Sequence, residues 1–122
     1  MKAKDIMHKR VLTVHPETGL AEFARLLTEH GVSGAPVVGP AGDLIGVVSQ
    51  TDLVRREYAG ATVASVMTPW TVSFEEDTDL KELARQMLAK KIHRVAITRE
   101  GRLCGIITSM DMLRALLALL DK

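Results

Sequence analysis

The chain carries one pattern twice, so any fold it adopts must house two copies of one unit. Asp5-Ile6-Met7 returns sixty positions later as Ser65-Val66-Met67. Glu17-Thr18-Gly19-Leu20-Ala21-Glu22-Phe23-Ala24-Arg25 returns at the same offset as Asp77-Thr78-Asp79-Leu80-Lys81-Glu82-Leu83-Ala84-Arg85. Gly46-Val47-Val48-Ser49-Gln50-Thr51-Asp52-Leu53 returns as Gly105-Ile106-Ile107-Thr108-Ser109-Met110-Asp111-Met112, fifty-nine apart because the second copy is one turn residue shorter. Two copies imply pseudo-twofold symmetry and paired clefts where they meet, which favours a binding function. The copies divide as residues 1–58 and 59–122, with Arg56 to Ala64 as connector.

Each copy reads β-α-β-β-α. An extended stretch opens it, Val11 to Val14 in the first copy and Thr71 to Phe74 in the second. Thr18 and Thr78 stand where an N-cap hydroxyl satisfies free amides, beside Glu17 and Asp77, whose charge favours a helix start. The helices run to about His30 and Lys91. Their apolar stripes are Leu20, Phe23, Ala24, Leu26 and Leu27, then Leu80, Leu83, Ala84, Met87 and Leu88. A hairpin follows: Ala35 to Val38 turns into Leu44 to Val48, and Val95 to Thr98 turns into Leu103 to Ile107. These β-branched runs lack clean alternation, which predicts sheets covered on both faces. A last helix starts near Asp52 and again near Asp111.

Composition excludes several functions. Sixteen basic and fifteen acidic side chains leave a net charge of +1, and only four residues are aromatic, so a nucleic-acid partner is not expected. Cys104 is the single cysteine, so one chain holds neither a disulfide framework nor a thiolate cluster. The four histidines lack ligand spacing, and no metal site is expected. No nucleophile–base pair or GxxxxGK loop is present, and no catalytic residue is assigned. No apolar run follows Met1-Lys2-Ala3-Lys4, and Ala115 to Leu120 is too short to cross a bilayer. The expectation is a cytoplasmic protein with no membrane partner.

The order of elements and the strand-exit motif Gly-apolar-x-(Ser/Thr)-x-x-Asp resemble the CBS domain family. Asp5-Ile6-Met7, Val66-Met67-Thr68-Pro69, and Val32 to Val38 matched by Ile92 to Ile97 extend the likeness over roughly Lys4 to Leu116. The resemblance implies an α/β (α+β) fold of two tandem β-α-β-β-α units packed sheet to sheet. It also implies a regulatory module without required cofactor, which binds adenosine-containing ligands in two clefts and signals to a partner protein. AMP, ADP and ATP are the leading ligands, with S-adenosylmethionine or NAD as alternatives. A ligand-free dimerisation scaffold is the competing reading.

Asp52 and Asp111 are the central candidates, because a carboxylate can take both hydrogen bonds from a ribose cis-diol. Ser49 and Thr108 offer hydroxyls to a phosphate beside a helix start. The same Ser/Thr-x-x-Asp spacing is also a capping box, and both roles can coexist. By resemblance, the first cleft combines Ser49, Thr51 and Asp52 with Thr71, Val72, His93 and Arg94. His93-Arg94 resembles the phosphate clamp of the regulatory subunit of AMP-activated kinase, since Arg presents a fixed fork of donors. A solvated loop is the alternative for that pair. The second cleft combines Thr108, Met110 and Asp111 with Val11, Leu12, Ser33, Gly34 and Ala35. It lacks the His-Arg pair, with Lys9 and Arg10 as substitute cations, so unequal sites are expected. Trp70 either stacks on a purine or packs in the junction after Pro69. Cys104 aligns with Ile45 and reads as a small hydrophobe. The helix from Met112 to Leu120 is apolar on nearly every side, which calls for a covering surface, a homodimer or another protein.

Overall fold

The computed structural model describes residues 1–54, 61–70 and 72–121. In chain order the elements are α1 (Ala3–Ile6), α2 (Leu20–His30), β1 (Gly34–Val38), β2 (Leu44–Ser49), α3 (Gln50–Leu53), a 3-10 turn (Val63–Ser65), β3 (Thr68–Pro69), β4 (Ser73–Glu75), α4 (Leu80–Lys90), β5 (Arg94–Arg99), β6 (Arg102–Thr108) and α5 (Ser109–Leu120). They form two three-stranded sheets, β1-β2-β3 and β4-β5-β6. The mixed α/β class and the doubled unit are thus as the sequence implies.

The compact units cut across the repeat order. Leu12–Thr71 forms one, and Met1–Val11 joins Val72–Lys122 in the other. We call them the first-repeat and second-repeat units. The leader of each repeat belongs in space to the other repeat's core. Ala3 donates its N–H to Thr78 O at 2.8 Å, and its counterpart Val63 donates to Thr18 O at 2.8 Å. Leu80 N–H reaches Met1 O at 3.0 Å, as Leu20 N–H reaches Ala61 O at 3.2 Å. Ala3 and Val63 are both fully buried. The predicted connector lies partly outside the described residues, but Ala61 to Ala64 are tied to the first-repeat unit by these bonds and by Ala64 N–H to Pro16 O at 2.9 Å.

Within the first-repeat unit, β1 and β2 pair antiparallel, and β3 adds along β2 with Val47 opposite Thr68. Val14 lies beside β1 as a single parallel bridge to Val37. In the second-repeat unit β4 runs parallel to β5, and β5 pairs antiparallel with β6. There the leader contributes one antiparallel bridge, His8 to Ile106. Both units therefore share one order: a parallel edge, a hairpin, an antiparallel edge from the leader. The edge strand from the leader was not anticipated. It is two residues long and ends in Pro69, and proline suits an edge.

The helices confirm the stripes with two corrections. Leu20, Phe23 and Leu27 are buried in one core, and Leu80, Leu83 and Met87 in the other. Leu88 is 79% exposed. At about 100° per residue it stands at the stripe's edge, where periodicity does not decide burial. The N-caps are Gly19 and Asp79, one residue after the threonines, and neither makes a side-chain cap bond. The Thr18 hydroxyl instead accepts the His15 N–H at 3.1 Å. Four consecutive buried residues in β1 and in β5 fit sheets covered on both faces. The shorter second hairpin turns through Glu100 (φ 53) and Gly101 (φ 80), the positive pair of a tight two-residue turn.

Candidate functional site

The two strand-exit motifs fold as the capping boxes their spacing allows. At the end of β2 the Asp52 carboxylate accepts from the Ser49 N–H at 2.8 Å and the Ser49 hydroxyl at 3.3 Å, both on Oδ2. At the end of β6 Asp111 Oδ2 accepts from the Thr108 N–H at 2.8 Å and the Thr108 hydroxyl at 3.0 Å. Asp111 N–H returns a bond to Thr108 Oγ1 at 3.3 Å.

Beyond the box the two aspartates part. Asp111 is 6% exposed, and its Oδ1 accepts from His8 Nε2 at 2.7 Å and Arg114 Nη1 at 3.1 Å. Burial pushes its pKa up, but the Thr108 N–H, His8 and the Thr108 hydroxyl outweigh that, leaving it below the ordinary carboxylate value. Asp52 is half-buried, and no cationic side chain among the described residues pairs with it. His8 and Arg114 were absent from the sequence-derived site. Arg114 is discoverable at three residues past Asp111 on one helix face. His8 lies 103 positions away, and only the leader's placement brings it in.

The motif glycines explain why the leaders and strands recur together. A Cβ at Gly105 would stand 2.6 Å from Met7 Sδ, and one at Gly46 would stand 2.8 Å from Thr68 O and 3.1 Å from Met67 Sδ. Each Asp/Ser-apolar-Met leader thus lies over the bare glycine of the strand it joins.

The remaining predicted residues fall into two neighbourhoods. In the first-repeat unit, Ser33 O accepts the Gln50 N–H at 2.8 Å, and Gly34 pairs with Ser49 across the hairpin. A Cβ on Gly34 would meet Val48 O at 2.9 Å, so the strand start needs glycine. Ala35 is buried, Leu12 half-buried and Thr51 exposed. In the second-repeat unit, Ile92, His93, Arg94, Thr108, Ser109 and Met110 line an open depression of about 510 Å³. Ser109 donates its N–H to His93 O at 2.9 Å, and its hydroxyl stands 3.5 Å from His93 Nδ1. His93 and Arg94 are exposed, as are Lys9 and Arg10, while Val11 and Val72 are half-buried. Thr71 lies outside the described residues.

Sequence reasoning assigned His93-Arg94 to one cleft and Thr108 and Met110 to the other. Within the second-repeat unit these four are neighbours on one surface. Cys104 packs at the core's edge with its thiol 3.3 Å from Ile97 O, and burial pushes the thiol's pKa up, next to the raising effect of Glu76. That is the behaviour of a small hydrophobe. Trp70 is half-buried, with its N–H on Ile45 O at 3.4 Å. On α5 only Met112 and Ala115 pack against the core, and Leu113, Leu116, Leu117, Leu119 and Leu120 are at least half exposed. No helix among the described residues is long and apolar enough to cross a membrane.

A family model for the CBS domain matches residues 3–58 and 63–118, and the chain belongs to the CBS domain family. Inosine-5'-monophosphate dehydrogenase of Methanocaldococcus jannaschii is 33% identical over 114 residues, which cover 93% of this chain and 23% of that enzyme. The chain spans 22% to 32% of the length of four curated relatives. Among solved structures, CBSX2 from Arabidopsis thaliana superposes with a TM-score of 0.85 at 29% identity, covering 99% of this chain and 97% of that one. CBSX2 in complex with AMP gives 0.83 at 31%, covering 97% of each. The CBS domain pair of protein MJ0100, in complex with methylthioadenosine and S-adenosyl-L-methionine, gives 0.77 at 27%, again covering 97% of each.

Proposed function

We propose that this chain is a non-catalytic, cytoplasmic sensor that binds an adenosine-containing ligand of the AMP, ADP or ATP type and signals its state to a partner protein. The observation that carries the reading is Asp52. Its carboxylate is fixed through Oδ2 by Ser49, at a strand end where an acceptor can meet a ribose diol. Structures of similar pairs hold AMP, or methylthioadenosine with S-adenosyl-L-methionine, which supports the ligand class. Ser49, Thr51 and Asp52 are the proposed nucleoside contacts of the first-repeat unit. His93 and Arg94, exposed in a depression with two hydroxyl residues, are the proposed phosphate contacts.

The test is calorimetry with AMP, ATP and S-adenosylmethionine, beside Trp70 fluorescence in wild type and Asp52→Ala. A saturable signal lost in the variant supports the reading; no heat at high micromolar concentration sinks it. The exposed leucines of α5 favour a second, compatible role in self-association. We propose a homodimer through this helix. Light scattering should then find a dimer that Leu117→Glu converts to monomer.

A further inference from the structure

We propose that His8 and Arg114 hold the Asp111 carboxylate closed, so that only Asp52 of the two strand-exit aspartates serves a ligand diol. This rests on the reading of the chain as an adenosine-binding module. A carboxylate offers about four acceptor positions on its two oxygens. At Asp111 four donors fill them: the Thr108 N–H and hydroxyl on Oδ2, and His8 Nε2 and Arg114 Nη1 on Oδ1. A cis-diol needs two of those positions. It would have to displace the two hydrogen bonds whose donors are a histidine and an arginine, the strongest kind when the donor is charged. At Asp52 Oδ2 is used by Ser49, and among the described residues no donor reaches Oδ1.

The histidine half of the difference traces to one register position; Arg55, the counterpart of Arg114, lies outside the described residues. His8 is pinned opposite Ile106 by two backbone bonds, His8 N–H to Ile106 O at 2.9 Å and Ile106 N–H to His8 O at 3.0 Å. The equivalent position in the first-repeat unit is Thr68, opposite Val47, and its hydroxyl makes no bond to Asp52. The same backbone seat therefore presents an imidazole to one aspartate and a short hydroxyl to the other. Asp111 is spent on holding the leader and α5 in place, and His8 supplies a donor that Thr68 does not.

Titration calorimetry with AMP tests this on the full chain. Wild type should bind one AMP per chain, weakened at least about tenfold by Asp52→Ala. The double variant His8→Thr with Arg114→Ala opens Oδ1 and should bind two, and adding Asp111→Asn should return it to one. Two AMP per wild-type chain, one of them removed by Asp111→Asn, would overturn the proposal, as would a double variant that still binds one. A wild type that binds none of AMP, ATP and S-adenosylmethionine defeats the adenosine reading instead. The closure then stands or falls on carboxyl carbon NMR: the Asp111 titration midpoint should rise in His8→Thr, and an unmoved midpoint refutes the closure. Circular dichroism of the variants confirms that they fold.

Discussion

The first-repeat and second-repeat units share their backbone almost bond for bond, yet they treat one conserved geometry differently. The Thr18 and Thr78 carbonyls accept the equivalent leader amides, Val63 and Ala3, each at 2.8 Å, and each motif glycine is covered by a leader methionine. Where side chains meet, the match ends. Asp111 sits in a filled network with His8 and Arg114, while Asp52 keeps the box alone among the described residues. Backbone hydrogen bonds are the same for every residue type and reproduce a repeat faithfully. Charge placement depends on identity at each position, so a His where the other leader has Thr gives the two aspartates different partners.

The largest effects should be shared by both units. Phe23 and Leu83 are equivalent and fully buried, so Phe23→Ala and Leu83→Ala should each cost about 3–5 kcal/mol in urea unfolding. A loss confined to one of them would break the equivalence of the two cores. The motif glycines come next, and here the units should again agree. The added Cβ of Gly46→Ala would stand 2.8 Å from the Thr68 oxygen and that of Gly105→Ala within 2.9 Å of Met7 Sδ, Cγ and Cβ, so each should cost about 1–3 kcal/mol in urea unfolding.

The aspartates sharpen the comparison. Asp111→Ala should cost about 2 kcal/mol and Asp52→Ala about 1 kcal/mol, because both lose a cap but only the first also frees His8 and Arg114. The folded pKa of Asp111 lies below the unfolded value of about 3.9. Its contribution is therefore fully present above that value and is lost as pH falls through the folded one. The drop in unfolding midpoint between neutral and strongly acidic pH should shrink in Asp111→Asn.

Smaller effects concern the helix ends. Gly31 (φ 63) and Lys91 (φ 54) close α2 and α4 in the left-handed region, which costs a non-glycine residue about 1 kcal/mol. Gly31→Ala should destabilise by about that amount and Lys91→Gly should stabilise by somewhat less, read from thermal midpoints. The Lys4–Asp77 ion pair at 2.8 Å is exposed on both sides, so Lys4→Ala should leave the midpoint unchanged within error.

Much of the fold was legible because it is written in local pattern. The helix stripes, the hairpins and the one-residue difference between their turns all follow from periodicity and turn chemistry. Errors arose where a side chain had two possible partners. Thr18 stands at N-cap spacing but its hydroxyl serves the His15 amide, one turn earlier. Leu88 fits the stripe by spacing but stands outside the core. The site was half legible: the boxed aspartates are visible in the spacing, whereas the pairing of His8 with Asp111 spans 103 residues, beyond the reach of any spacing rule.

The sequence by itself determined that there are two units of one kind, where each strand and helix falls, and which Ser/Thr-x-x-Asp groups sit at strand ends. Those features depend on neighbours within a few residues, and the repeat states them twice. Only the tertiary structure decided which core each leader enters. A leader can close the sheet of its own repeat or of the other with the same backbone bonds, so the pattern does not distinguish the two. The exchange brings His8 to Asp111 and Thr68 to the strand of the other repeat, and with it comes a difference between the two aspartates.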